Sequence, residues 1–142
     1  MSELLKPSEL RKLQDEVEAR KVAAALEKQR KAEQERDHLH EAFMGQEIRP
    51  DVHERLNNAI RRAVENGLSE LQIMSFPAAW TTDHGRRINN DEPDWPDSLD
   101  GFARRAYEFY VKEMQPLGFK VRAQILNYPN GVPGDVGIFL SW

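Results

Sequence analysis

The residues best suited to chemistry lie together between positions 81 and 90, where the chain reads TTDHGRRINN. His84 follows Asp83, and a histidine, which titrates near neutral pH, can serve as a general acid or base. Gly85 allows a turn that exposes backbone amides, and arginine donates charge-assisted hydrogen bonds to phosphate or carboxylate groups. This pattern is typical of a site for an anionic ligand. The candidate ligand-binding residues are Arg86, Arg87, Asn89 and Asn90, and the candidate catalytic residue is His84.

The following segment, DEPDWPDSLD, carries five carboxylates and no base. The simplest interpretation is that Asp91, Glu92 or Asp94 neutralises the two arginines, since a guanidinium can hold two carboxylate oxygens at once. A Ca²⁺ or Mg²⁺ site is an alternative, but the spacing matches no EF-hand, and Pro93 and Pro96 stiffen the chain. The sequence therefore predicts no metal site and no cofactor. It also lacks the G-x-S-x-G, Walker and H-E-x-x-H patterns of common catalytic sites.

The stretch from Pro77 to Asp97 has no helical or strand periodicity over about twenty residues, a length at which loops in compact domains are usually functional or disordered. Trp80 and Trp95 argue against disorder, because such side chains tend to be buried. We therefore expect an ordered functional loop. Its candidate partner-binding residues are Trp80 and Trp95.

One long helix is predicted over residues 8–44, with Ser8 as its N-cap and Gly45 as its end. Ala, Leu, Glu, Lys, Gln and Arg, which favour helices, make up most of it. Charges of both signs alternate along it, so it has neither the basic stripe of a nucleic-acid arm nor the bulky apolar face of a membrane-surface helix.

The apolar stripe of this helix starts with Leu10, Leu13 and Val17 but fails between residues 27 and 38, where Ala32 is the only hydrophobic residue. A long stable coiled coil is therefore doubtful. Two interpretations stay open. The helix is a solvated spacer, or its three leading apolar residues bind a partner or a second copy of the same helix.

Two amphipathic helices are predicted in the rest of the chain. The first begins at Asp51, which is spaced from Glu54 as in a capping box, and ends at Asn66. His53 in its first turn is expected to be solvated, as are the histidines of the long helix. The second helix begins at Asp97 or Ser98. Its apolar face, the strongest in the chain, comprises Leu99, Phe102, Ala103, Ala106, Phe109, Tyr110 and Met114.

Three strands are predicted, at residues 71–76, 119–125 and 136–140. The first two should be parallel or separated by the third, and the last two should form a hairpin. The predicted fold is α+β: a long exposed N-terminal α-helix, then a small two-layer domain with a three-stranded sheet in the order helix-strand-helix-strand-strand. The predicted division is an extended charged helix at 1–46 and a compact domain at 47–142.

The last strand and its terminal residue bear on association. If this strand is a sheet edge, it could pair with its counterpart in another copy. Trp142 is expected to be a lid on the core, with an interface as the alternative.

Composition limits the class of protein. The chain has 142 residues, 31% of them charged, no cysteine and a formal net charge of -4. This balance argues against a nucleic-acid partner, and no apolar run is long enough to cross a bilayer. The start of the chain does not resemble a secretory signal, so we expect a cytoplasmic protein with no membrane partner.

The sequence favours a non-enzymatic protein-interaction or scaffold/adaptor module that binds a protein partner or itself. Self-association through the helix or a sheet edge would give a homo-oligomer. The alternative is a small enzyme or ligand-binding domain that recognises an anionic ligand through residues 81–90.

Overall fold

The computed structural model describes residues 3–142, and the chain divides into two compact units, Met1–Glu41 and Ala42–Trp142. The first unit holds most of one long helix, and the second holds the sheet and all the other helices. Within the described residues, no helix has the length and apolar character that crossing a membrane requires.

Helix α1 spans Pro7–Gly45 and confirms the predicted long helix, although Ser8 is not its N-cap because the helix starts one residue earlier. The Lys6 carbonyl accepts a hydrogen bond from the Leu10 N–H at 3.0 Å. The Glu9 carboxylate accepts one from the Lys6 N–H at 3.1 Å. Proline suits the first helical position, where an N–H would have no partner within the helix. No residue of α1 is buried.

The sheet of the second unit consists of β1 (Glu70–Pro77), β2 (Lys120–Ile125) and β3 (Asp135–Ser141). Their order is β1-β3-β2, and β3 is antiparallel to both neighbours. The α+β fold, the hairpin of β2 with β3 and the separation of the first two strands by the third are therefore confirmed.

The position of β3 corrects one expectation about association. The final strand is central, so its backbone is already paired on both sides and cannot pair with another copy. Trp142 is also not a lid on the core, because the residue is 40% exposed. Its N–H reaches the Ser69 carbonyl at 3.4 Å, which extends the end of the sheet instead.

Helix α2 spans Val52–Glu65, and its cap differs from the predicted capping box. The Asp51 side chain makes no capping hydrogen bond because Arg49 Nε donates to its Oδ1 at 3.1 Å. After the third helix, α3 (Arg86–Asn89), helix α4 spans Gly101–Phe109. It starts later than predicted, since Trp95–Ser98 forms a separate 3-10 turn and Leu99 is extended.

A π-helical turn at Tyr110–Met114 and a 3-10 turn at Gln115–Leu117 continue α4 before Gly118 ends it. The predicted apolar face of α4 supplies much of the core. Leu99, Ala103, Tyr110 and Met114 are buried there. The Tyr110 hydroxyl donates to the Phe119 carbonyl at 2.8 Å, and burial raises the pKa of this phenol.

The other face of the sheet is polar. Arg122 donates two hydrogen bonds to the Glu70 carboxylate, at 2.6 and 2.8 Å, and its guanidinium lies 4.1 Å from the centre of the Phe139 ring. The hydrogen bond from Arg122 lowers the pKa of Glu70. The charged pair thus covers the large apolar side chain of this face.

The last turn of α1 belongs to the second unit. The Phe43 ring packs against Phe76 and Trp80, with ring centres 5.3 and 4.8 Å away, and Arg105 donates to the Met44 carbonyl at 2.8 Å. A Cβ at Gly101, whose φ is +54°, would lie 2.9 Å from the Met44 Cα, so this close approach requires glycine. The contacts divide the chain after Glu41, whereas the sequence placed the division after residue 46.

These contacts predict that a fragment of residues 42–142 is more stable than a fragment of residues 47–142. Loss of the half-buried Phe43 ring should lower the free energy of unfolding by about 2 kcal/mol. For a domain of this size, that corresponds to a melting temperature lower by about 10 °C. Thermal melts followed by circular dichroism compare the two fragments, and equal melting temperatures would show that the last turn of α1 is dispensable.

Candidate functional site

The loop that the sequence singled out is held together by its own hydrogen bonds. Thr81 is buried, its hydroxyl donates to the Ala78 carbonyl at 2.8 Å, and it accepts from the Gly85 N–H at 2.6 Å. The Asp83 carboxylate accepts from the N–H groups of Gly85 and Arg87 at 3.2 and 3.1 Å. Asp83 is therefore engaged in shaping the turn into α3.

The two arginines of the loop face acidic partners. Arg86 Nη1 lies 3.6 Å from Glu92 Oε1. Arg87 Nε lies 3.7 Å from Asp83 Oδ2 and 3.6 Å from Asp94 Oδ2. This agrees with the interpretation that the two halves of the loop neutralise each other. The positive charge that an anionic ligand would need is already compensated.

The other residues proposed for this ligand site do not converge. His84 is exposed at a φ of +54°, and its imidazole makes no hydrogen bond or ion pair with any residue in the described part of the chain. Asn89 accepts a hydrogen bond from the Tyr128 hydroxyl at 2.7 Å, which ties α3 to the turn before β3. Asn90 is exposed and ends α3 through its backbone N–H.

The two tryptophans proposed to bind a partner are half-buried. Trp80 packs on Phe43, and Trp95 packs edge-on against Tyr107 with ring centres 5.8 Å apart. Both rings border the main hydrophobic cluster of the second unit. Much of each ring is thus used to stabilise the fold, and partner binding by the loop stays a prediction.

The apolar stripe on α1, unlike the two half-buried tryptophans, is largely exposed to solvent. Leu10 is 41% exposed and Leu13 47%, and Val17 is only partly covered. One ion pair on the surface of α1 joins Arg30 Nη2 to Glu27 Oε1 at 2.7 Å. The stripe therefore consists of apolar side chains without a packing partner of their own among the residues described.

Sequence reasoning missed an apolar groove between α2, β1 and α4, which we call the α2–α4 groove. Its volume is about 360 Å³. Apolar side chains make up most of its lining, and its polar residues are two glutamines, two arginines and one tyrosine. The lining residues are Gln46, Ile48, Arg49, Val52, Arg55, Leu56, Ala59, Leu71, Gln72, Ile73, Met74, Phe102, Ala106, Phe109, Tyr110, Met114 and Leu140.

Two arginines meet at one place on this groove. Arg49 Nε lies 3.1 Å from Asp51 Oδ1, and Arg55 Nη1 lies 4.0 Å from Asp51 Oδ2. The hydrogen bond from Arg49 is the main cause of the lowered pKa of Asp51. Two guanidinium groups thus share one ionised carboxylate, and positive charge remains uncompensated there.

Sequence reasoning also missed a pair between His53 and Glu113. His53 was expected to be solvated, but its Nε2 lies 2.9 Å from Glu113 Oε1, and its ring lies 5.7 Å from that of Phe109. Sixty positions separate the two residues in sequence. The pair lies at the surface, where the His53 side chain is 68% exposed, and it joins α2 to the π-helical turn.

No metal centre is formed by the acidic half of the loop. Within residues 3–142, no three or more histidine, aspartate or glutamate side chains are grouped so that they could hold a metal ion. Asp100, one of these acids, instead accepts the Gly101 N–H at 2.9 Å and so caps α4.

The hydrogen bonds of Thr81 predict that Thr81→Val destabilises the protein. The Ala78 carbonyl would keep the Thr81 N–H but lose the hydroxyl as a donor, and the Gly85 N–H would lose the shorter of its two hydrogen bonds. The loss of these two hydrogen bonds should cost about 2 kcal/mol in the free energy of unfolding. Urea unfolding measures the change. Thr82→Val at the exposed neighbouring position is the control and should change stability by less than about 0.5 kcal/mol. Equal effects of the two substitutions would contradict a self-supporting loop.

Comparison of this chain with protein families, with curated proteins and with solved structures finds no match.

Proposed function

We propose that this chain is a non-enzymatic protein-interaction module that associates with a second copy of itself through α1. The observation that supports it most directly is the state of that helix: it runs for 39 residues, none of which is buried. The second unit supplies a folded domain that such an arm would bring together in pairs. The proposed assembly is therefore a homodimer in which the α1 helices of two copies pair as a short coiled coil.

The apolar stripe gives the helix a reason to associate. Leu10, Leu13 and Val17 follow helical spacing, so they share one face near the start of α1. Removing a leucine side chain from water contributes about 1.5–3 kcal/mol. In a two-fold symmetric pair each copy supplies the same stripe, which doubles the contribution without any other molecule. The stripe is short, and the association should therefore depend on protein concentration.

The chemistry of the second unit supports a binding role over a catalytic one. The arginines of the loop are paired with carboxylates, and His84 has no orienting partner among the described residues. The His53–Glu113 pair is exposed. A general base works best when a partner orients it and the surrounding side chains exclude water. His84 lacks such a partner among the described residues, and the His53 side chain is 68% exposed.

The proposal also assigns the environment and the partners. We place the module in the cytoplasm, where a chain without cysteine is well suited to a reducing compartment. The formal net charge of -4 and the alternating charges of α1 favour a protein partner over nucleic acid or membrane.

Charge introduced into the stripe tests this proposal. In the full chain, Leu10→Glu with Leu13→Glu should abolish self-association, because two carboxylates per copy would have to be buried in the interface. Light scattering during gel filtration, over a range of protein concentrations, measures the mass. The unchanged chain should approach the mass of a dimer as concentration rises, and the variant should remain a monomer.

Helix α1 itself offers a matched control. Val22 and Leu26 are 58% and 61% exposed, and at about 100° per residue they lie roughly on the opposite side of the helix from the stripe. Val22→Glu with Leu26→Glu makes the same chemical change away from the proposed interface and should leave the dimer intact. Dimerisation that survives the stripe variant, or that both variants remove equally, would contradict an interface through the stripe.

A further inference from the structure

We propose that the α2–α4 groove is a binding site for a small amphipathic anion, a single-chain carboxylate whose apolar chain lies in the groove and whose head group meets Arg55. This site is independent of the self-association proposed for α1. The volume of about 360 Å³ falls within the range of small-molecule pockets.

The interior of the groove suits an apolar chain. Leu56 and Phe109 line its two helical sides, and Ile73 and Leu140 come from the sheet. The hydroxyl of Tyr110 is already bonded to the Phe119 carbonyl, so it does not require a polar group from a ligand. Each methylene group removed from water would contribute about 0.8 kcal/mol.

The charge at the groove selects an anion. No aspartate or glutamate lines it, whereas Arg49 and Arg55 both do. Asp51 accepts a hydrogen bond from the Arg49 guanidinium. The Arg55 guanidinium reaches the same carboxylate only at 4.0 Å and donates no hydrogen bond to a residue in the described part of the chain. A ligand carboxylate could accept two hydrogen bonds from the Arg55 guanidinium, a geometry that arginine favours.

The size of the groove favours a small molecule over a partner helix. A sphere of the same volume would be about 9 Å across, whereas an α-helix with its side chains is about 10–12 Å wide. A helix could insert only a few side chains and would leave most of its surface outside. A single extended chain, in contrast, can be buried over most of its length.

Calorimetry on the full chain with decanoate, below the concentration at which it forms micelles, tests the proposal. Decanoate should bind at one site per chain, and decanol, which has the same chain without the charge, should bind at least ten times more weakly. Arg55→Ala should weaken decanoate binding at least tenfold and leave the weak binding of decanol unchanged. Arg61→Ala is the matched control, because Arg61 is exposed on the same helix and does not line the groove.

A second variant tests the position of the chain. Ala59 lines the groove from α2, and Ala59→Phe would fill it, so this variant should bind neither decanoate nor decanol while keeping its helical circular dichroism. The Leu10→Glu, Leu13→Glu chain should bind decanoate as the unchanged chain does, which separates this site from self-association.

Several results would overturn the proposal: equal affinity for decanoate and decanol, unchanged binding by Arg55→Ala, or unchanged binding by a folded Ala59→Phe chain. If the chain bound vesicles of anionic phospholipid but not monomeric decanoate, the arginines at the groove would be contacts for a membrane surface instead. Failure of all monomeric amphiphiles together with saturable binding of an amphipathic peptide would assign the groove to a partner helix.

Discussion

The burial of β3 is the constraint on which the rest of the second unit depends. Its inward side chains Val136, Ile138 and Leu140 are 0%, 5% and 1% exposed, and each contributes about 1.5–3 kcal/mol when removed from water. β3 comes last in the chain and lies between the other two strands. β1 and β2 must therefore leave a space for it, and α4, which lies between them in sequence, makes this possible by crossing over the sheet. The apolar side chains then share one face with the helices, and the other face holds the polar pair of Arg122 and Glu70.

Residues with little or no side chain explain two features of the second unit: the close approach of α1 to α4 at Gly101 and the α2–α4 groove. At Gly101 the absence of a Cβ lets the last turn of α1 approach the start of α4, so Phe43 can fill a space beside Phe76. Between α2 and α4, in contrast, short side chains leave a space open. Ala59 and Ala106 both line the α2–α4 groove and are too short to fill it. One close approach and one open groove therefore follow from residues with little or no side chain.

Sequence patterns predicted the three longest helices, the three strands and the fold class, but not the short helix α3 or the 3-10 turns beside it. Contacts between distant residues also lay beyond them. The helix-favouring composition of α1, the apolar faces of α2 and α4 and the alternation in the strands are local signals, and they were sufficient for the α+β architecture. The pair of His53 with Glu113 and the capture of Asp51 by Arg49, in contrast, depend on where the elements pack. At the candidate site, the succession of a basic and an acidic segment correctly indicated that Arg86 and Arg87 face acids. A groove defined by short side chains, in contrast, leaves no periodic signal.

Amide hydrogen exchange of the full chain, measured at several protein concentrations, tests the account most directly. At the lowest concentration, we expect the amides of β3 to exchange only through global unfolding and those of residues 10–35 to exchange far faster, because no side chain of that helix segment is buried. Rising concentration should slow exchange around Leu10, Leu13 and Val17 alone. Equal protection of β3 and the helix at the lowest concentration would mean that the helix is held within the fold of a single chain, and the proposed self-association through an exposed arm would be wrong.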